Sequence, residues 1–225
     1  VMLDIVMQAP ERFSSAVRAA FEAELPLVRP ATFRARFHLA EVMREAEITA
    51  LLRAIGKRGS QGVVLKAPAT PAIETCLAEL AARKIPVVSY VTDVSAEFRL
   101  AYVGMQNHHA GATAAYLLAK MAPKQASRVL VTLSSAGFEG EEARGIGFCR
   151  ALATYAPYLA VTTVSEGFGV DRATGSLIDQ ALAEHPDIAS VYSIGGGNRA
   201  ILDAFATANR PIEVFAAHDL DRTNR

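Results

Sequence analysis

A chain of 225 residues with 51% hydrophobic and 20% charged residues can bury one large core or two modest ones. Lysine plus arginine equals aspartate plus glutamate at 23 each, which excludes a protein that holds nucleic acid by basic excess alone. The opening VMLDIVMQAP has no basic stretch, and its apolar run is too short for a signal peptide or a membrane span.

Strand and helix patterns alternate almost throughout. LDIVMQ (3–8) reads as a strand, and residues 12–25 carry apolar side chains at helical spacing through Phe13, Val17, Ala20 and Phe21. A second strand falls within RPATFRARFHL, followed by a helix from about Ala40 to Ile55 that ends at Gly56. GVVLKAP is a strand, Pro71 opens a helix to Arg83, and IPVVSYV is the next strand. The rhythm then resumes: AYVGMQ precedes a helix near 107–121, SRVLVTLSS one near 139–153, AVTTVSEG one near 171–185, and ASVYSIGGG one near 198–208, before IEVFAAHDL. Strands separated by helices predict an α/β fold of parallel sheets with helices on both faces.

The stretch TDVSAEFRLAYVGMQN links strand to strand without a long helix. Such a link suits a chain leaving one sheet for another, so two lobes are expected, residues 1–104 and 105–225, with a cleft between them. Cys76 and Cys149 are far apart, lack metal-ligand spacing and fall on helix faces, so they are expected as buried free thiols. That reading favours a reducing compartment, the cytoplasm.

In open α/β sheets, ligands lie outside the carboxyl ends of the strands, so the residues that follow each strand are the candidates. They are Gln8, Arg12 and Phe13; Lys66; Thr92 and Asp93; Asn107; Ser134 and Ser135 with Glu139, Glu142 and Arg144; Glu166; Gly195, Gly196, Gly197 and Asn198; and His218 with Asp219. Carboxylates, amides and hydroxyls beside aromatic rings suit a neutral, hydroxyl-rich ligand. Asp93, Asn107 and Ser135 equally suit turn and helix caps, and Phe13 equally suits the core. The adjacent His108 and His109 do not share a helix face, which argues against a metal site.

No nucleophile elbow, zinc-protease or phosphate-loop motif occurs. Ser134 or Ser135 with His218 and Asp219 would make an awkward nucleophilic set, because base and orienter are adjacent in sequence. Gly195, Gly197 and Ala200 spell the dinucleotide fingerprint, with Asp219 about 20 residues on. That fingerprint belongs to the first β-α turn of a nucleotide-binding domain, whereas here it comes near the eighth strand. The glycines are better read as letting a strand end approach a ligand closely, with Asn198 capping the next helix. No enzyme, cofactor or metal is expected.

Five segments, KIPVVSYVTDV, LAYVGMQNHHAGATAAYLLAK, EEARGIGFCRAL, VYSIGGGNRAI and VFAAHDL, resemble in order and spacing the ligand-binding domain of the lactose-repressor family of bacterial transcription regulators. That family shares its fold with periplasmic sugar-binding proteins. The resemblance implies a two-lobe α/β fold, each lobe a parallel sheet flanked by helices, and a sugar or polyol effector. It also implies a homodimer, and operator DNA bound through an attached helix-turn-helix headpiece. Asp219 resembles the family's aspartate that accepts from sugar hydroxyls, Thr92 and Asp93 its first-lobe ligand loop, and Gly195 to Asn198 a second-lobe loop that offers an amide. Glu142 stands where many relatives have an arginine, with Arg144 two residues later. A solute-binding protein for sugar transport is the other expectation, and a nicotinamide-dependent oxidoreductase a third.

Overall fold

The computed structural model describes residues 1–135 and 137–218. The chain divides into two units: Val1–Gly104 with Gly137–Glu139, and Met105–Ala136 with Gly140–Arg225. Unit 1 contains β1 (Met2–Gln8), α1 (Glu11–Glu24), β2 (Arg34–Ala40), α2 (Glu45–Arg58), β3 (Gly62–Lys66), α3 (Pro71–Ala82), β4 (Val87–Tyr90) and β5 (Ala101–Val103), plus a 3₁₀ turn at Leu25–Leu27. Unit 2 contains α4 (Asn107–Met121), β6 (Ser127–Thr132), α5 (Glu139–Tyr155), β7 (Leu159–Val164), α6 (Asp171–Glu184), β8 (Ile188–Ser193), α7 (Asn198–Thr207) and β9 (Val214–Ala217).

All pairings are parallel, in the order β2-β1-β3-β4-β5 in unit 1 and β7-β6-β8-β9 in unit 2. Parallel strands covered on both faces need near-continuous apolar runs, and β1 is buried from Asp4 through Gln8. In unit 1 the main core joins Val6, Leu65 and Val87 of the sheet to Ile48, Leu52 and Ile55 of α2 and Leu77 of α3. Met7 and Ala9 meet Val17 of α1 in a separate cluster. In unit 2 one core sets Val129, Val131 and Tyr192 against Leu118 of α4 and Phe148 of α5, and the other sets Leu130 and Val191 against Ile178 of α6 and Phe205 of α7.

Local chemistry sets the helix ends. Thr70 caps α3 by accepting from the Ile73 N–H, and Pro71 supplies a first residue that needs no donor. α2 opens with Glu45 and Glu47 and closes with Lys57 and Arg58, charges that complement the helix dipole.

Two sequence expectations are corrected. α2 starts at Glu45 and runs past Gly56 to Arg58, because Gly56 is used for packing: a Cβ there would lie 3.3 Å from Leu80 Cδ2 of α3. Its C-cap is Gly59, at φ 83°. Cys76 is buried as expected, but Cys149 is exposed on α5.

Candidate ligand-binding site

Both sheets reverse their winding, unit 1 between β1 and β3 and unit 2 between β6 and β8. The loops that leave the carboxyl ends of these strand pairs diverge, which is where α/β sheets hold ligands.

In unit 1, Gln8 ends β1 at that point and is 4% exposed. Its backbone carbonyl accepts from Lys66 Nζ at 2.9 Å, Lys66 being the buried last residue of β3. The side-chain Oε1 of Gln8 is buried and accepts no hydrogen bond from the described residues. An amide oxygen in that state costs about 1–3 kcal/mol, a cost that a donor on a ligand would remove. Phe13, in the first turn of α1, stacks on Tyr90 at the end of β4, with centroids 6.5 Å apart and planes at 23°. Arg12 is exposed beside it on α1.

Thr92 is buried and its N–H donates to the Tyr90 carbonyl at 2.8 Å. Asp93 is engaged on both oxygens: Oδ1 accepts from the Ser89 hydroxyl at 2.6 Å and the Val94 N–H at 2.9 Å, and Oδ2 from Arg99 at 2.9 Å. Read from sequence as a ligand acceptor or a turn former, Asp93 fixes its own loop in the structure.

In unit 2, Ser134 follows β6 and gives both its N–H and its hydroxyl to Glu141, each at 2.7 Å. The Ser135 hydroxyl lies 3.2 and 3.3 Å from the Glu166 carboxylate oxygens. Arg144 is buried and donates from Nε to Asn107 Oδ1 at 2.8 Å, whereas Glu142 is exposed. The acid that serves this loop is therefore Glu141, which the sequence reading passed over. The signal was its spacing: Glu141, Arg144 and Phe148 recur at i, i+3 and i+7 along one face of α5, and Glu142 does not.

Asn198 opens α7 and is 4% exposed. Its Oδ1 accepts from the Ser193 hydroxyl at 2.6 Å, and its buried Nδ2 has no partner among the described residues. The expected capping role is not Asn198's: the N-cap position is taken by Gly197, which has no side chain to cap with. Gly196, at φ 90°, is half-buried beside it.

The fingerprint glycines have a packing explanation. A Cβ on Gly195 would run into the backbone of Leu133 and Ser134, and one on Gly197, at φ 72°, would lie 2.7 Å from Thr174 Oγ1. The close approach is of protein to protein, and no pyrophosphate is needed to account for it. Two members of the nucleophilic set have other partners: the Ser134 hydroxyl is on Glu141, and His218 Nε2 lies 2.7 Å from the Tyr192 hydroxyl. Burial pushes that tyrosine above its ordinary range, which keeps it neutral. Asp219, the aspartate singled out by resemblance, lies outside the described residues. Among the described residues, no three His, Cys, Asp or Glu side chains gather as a metal site.

A family model described as a periplasmic binding protein domain matches residues 44–225. Solved structures similar to the chain include a glucose-galactose binding protein from Geobacillus stearothermophilus, at TM-score 0.86 and 17% identity over 99% of this chain and 79% of that one. Another is an ABC transporter solute binding protein from Agrobacterium vitis bound with α-D-tagatopyranose, at TM-score 0.85 and 18% identity over 98% and 76%. A third is the fructose binding periplasmic domain of a hybrid two component system, at TM-score 0.86 and 15% identity over 98% and 73%. At such identities the likeness is one of fold. No curated protein matches the chain.

Proposed function

The chain belongs to the periplasmic binding protein domain family, and from that premise we propose that it is a sugar-binding protein of the solute-binding kind, which captures a monosaccharide or polyol without transforming it. The observation that carries this reading is two buried polar atoms without partners among the described residues, Gln8 Oε1 and Asn198 Nδ2, each beside the point where its own sheet reverses. The first is an acceptor and the second a donor, and sugar hydroxyls can serve each kind of atom within its own unit. The Phe13–Tyr90 pair adds an aromatic surface of the type that covers the apolar side of a pyranose. The sugars named for the glucose-galactose, tagatose and fructose binders support the same class. By resemblance, Asp219 is a further acceptor.

A thermal-shift panel of pentoses, hexoses, polyols, sugar phosphates and NAD tests the reading. A sugar at 100 times its dissociation constant stabilises the folded state by about 2.7 kcal/mol. Stabilisation by a neutral sugar or polyol is expected. Silence across all of them, or a response to NAD alone, overturns it.

The ordered segments from KIPVVSYVTDV to VFAAHDL favour a second reading, the effector domain of a lactose-repressor-type regulator. In that role the chain works in the cytoplasm as a homodimer, and sugar binding shifts the balance between two conformations by its differential affinity. Operator affinity then changes through an attached headpiece. The two readings part on one measurement, whether sugar changes the operator affinity of the full-length protein.

A further inference from the structure

We propose that unit 1 carries an oxyanion site, separate from the sugar site, where Arg36, Arg58 and His38 converge on Asp4, and that it takes phosphate or a phosphomonoester. Asp4 lies in the middle of β1 and is fully buried. Arg36 on β2 grips it with two nitrogens, Nε on Oδ1 at 3.1 Å and a terminal nitrogen on Oδ2 at 2.8 Å. Arg58, at the end of α2, and His38 Nε2 each reach Oδ1 at 2.8 Å.

The two-pronged Arg36 balances the charge of the buried carboxylate, and Arg58 brings a second positive charge to the same group. Among the described residues, Asp4 is the sole carboxylate within ion-pair range of Arg36, His38 or Arg58. One terminal nitrogen of Arg36, and the Nε and other terminal nitrogen of Arg58, make no protein hydrogen bond among those residues. These side chains keep 31% and 44% of their surface, while the carboxylate holds the guanidinium groups in place.

The surroundings add positive charge. Arg34 lies two residues before Arg36, on the same face of β2, and Lys57 precedes Arg58 in the last turn of α2; both are exposed. Paired, fixed guanidinium groups with several donors match the tetrahedral oxygens of a phosphoryl group better than a lone ammonium does. Asp4 sits four residues before Gln8 on β1, about 13 Å along the strand, so the site does not overlap the strand ends.

Calorimetric titration of the whole chain with inorganic phosphate and with glucose 6-phosphate, against chloride at equal ionic strength, tests the proposal. The probes are the wild type, Arg58→Gln and Arg58→Lys; Arg36 is left intact because it holds Asp4. Saturable phosphate binding is expected in the wild type and at least tenfold weaker binding in Arg58→Gln. Arg58→Lys keeps the charge, guards against a folding defect, and is expected in between. Saturation by inorganic phosphate identifies a free anion as sufficient, while binding of the phosphomonoester alone identifies a phosphoryl group on a larger ligand. A response no greater than chloride's, or equal affinity in wild type and Arg58→Gln, overturns the site. Neutral sugars read the strand-end site separately, so either reading can fail without the other.

Discussion

Gly111 and Arg144 meet backbone to backbone: a Cβ on Gly111 of α4 would run into the Arg144 carbonyl of α5, and one on Gly147 would run into the His108 carbonyl. The two glycines let α4 and α5 cross without intervening side chains. Gly111→Ala or Gly147→Ala is expected to cost about 2–3 kcal/mol, because a methyl group in a close-packed crossing forces the backbones apart. The double variant is expected to cost less than the sum, since the first methyl already opens the gap. Urea midpoints of the three variants read this directly. An unchanged midpoint in Gly111→Ala would show that the crossing yields freely.

Gln8→Met separates a binding residue from a structural one by opposite signs. Removing a buried oxygen that has no donor among the described residues relieves a desolvation cost, so the sugar-free protein is expected to gain up to about 1 kcal/mol. The same change removes an acceptor from the proposed site, and sugar affinity is expected to fall about tenfold, as for the loss of one hydrogen bond of about 1.4 kcal/mol. Thermal melts with and without sugar check both signs. A variant that loses stability while keeping its affinity would take Gln8 out of the site.

Much of the fold was legible because parallel strands and their helices obey local rules. The helix expected near 107–121 is α4, Asn107–Met121, and the apolar run SRVLVT is β6. What escaped the sequence were facts of partnership. Nothing in DVSAEFR tells that Asp93 is taken up by Ser89 and Arg99 rather than left for a ligand. Nothing in the fingerprint tells that the space beside Gly195 is filled by Ser134. Asp4 drew no notice within the strand LDIVMQ, because its partners lie 32 to 54 residues away. Glu141 was within reach, since helical spacing alone separates it from Glu142.

Gly197→Ala tests the packing account of the glycine-rich turn. At φ 72° an alanine loses about 1–2 kcal/mol through the left-handed conformation alone, and its methyl group would stand 2.7 Å from Thr174 Oγ1. The variant is expected to lower the urea midpoint, with Gly197→Ala/Thr174→Ala partly restoring it. NAD is expected to leave the melting temperature of every form unchanged. An NAD-dependent shift abolished by Gly197→Ala would return the turn to dinucleotide binding.

The environment of Asp4 sets an acid limit on stability. Burial pushes its carboxyl upward, but hydrogen bonds led by those from Arg36 and His38 outweigh that and hold it below the ordinary aspartate value. A carboxyl depressed in the folded state contributes stability in full above its unfolded value of about 3.9, and that contribution drains away as pH falls through the lower folded value. Urea midpoints of the wild type are therefore expected to hold near neutrality and drop below about pH 4. Asp4→Asn is expected to cost about 2–3 kcal/mol at pH 7, less than the 3–5 typical of a fully buried pair, because Arg36 and Arg58 keep 31% and 44% of their surface and can turn to water. Its acid limb is expected to be shallower than the wild type's, since the group that must be protonated is gone. Parallel acid limbs in the two proteins would place the pH dependence elsewhere and reduce Asp4 to a packing residue.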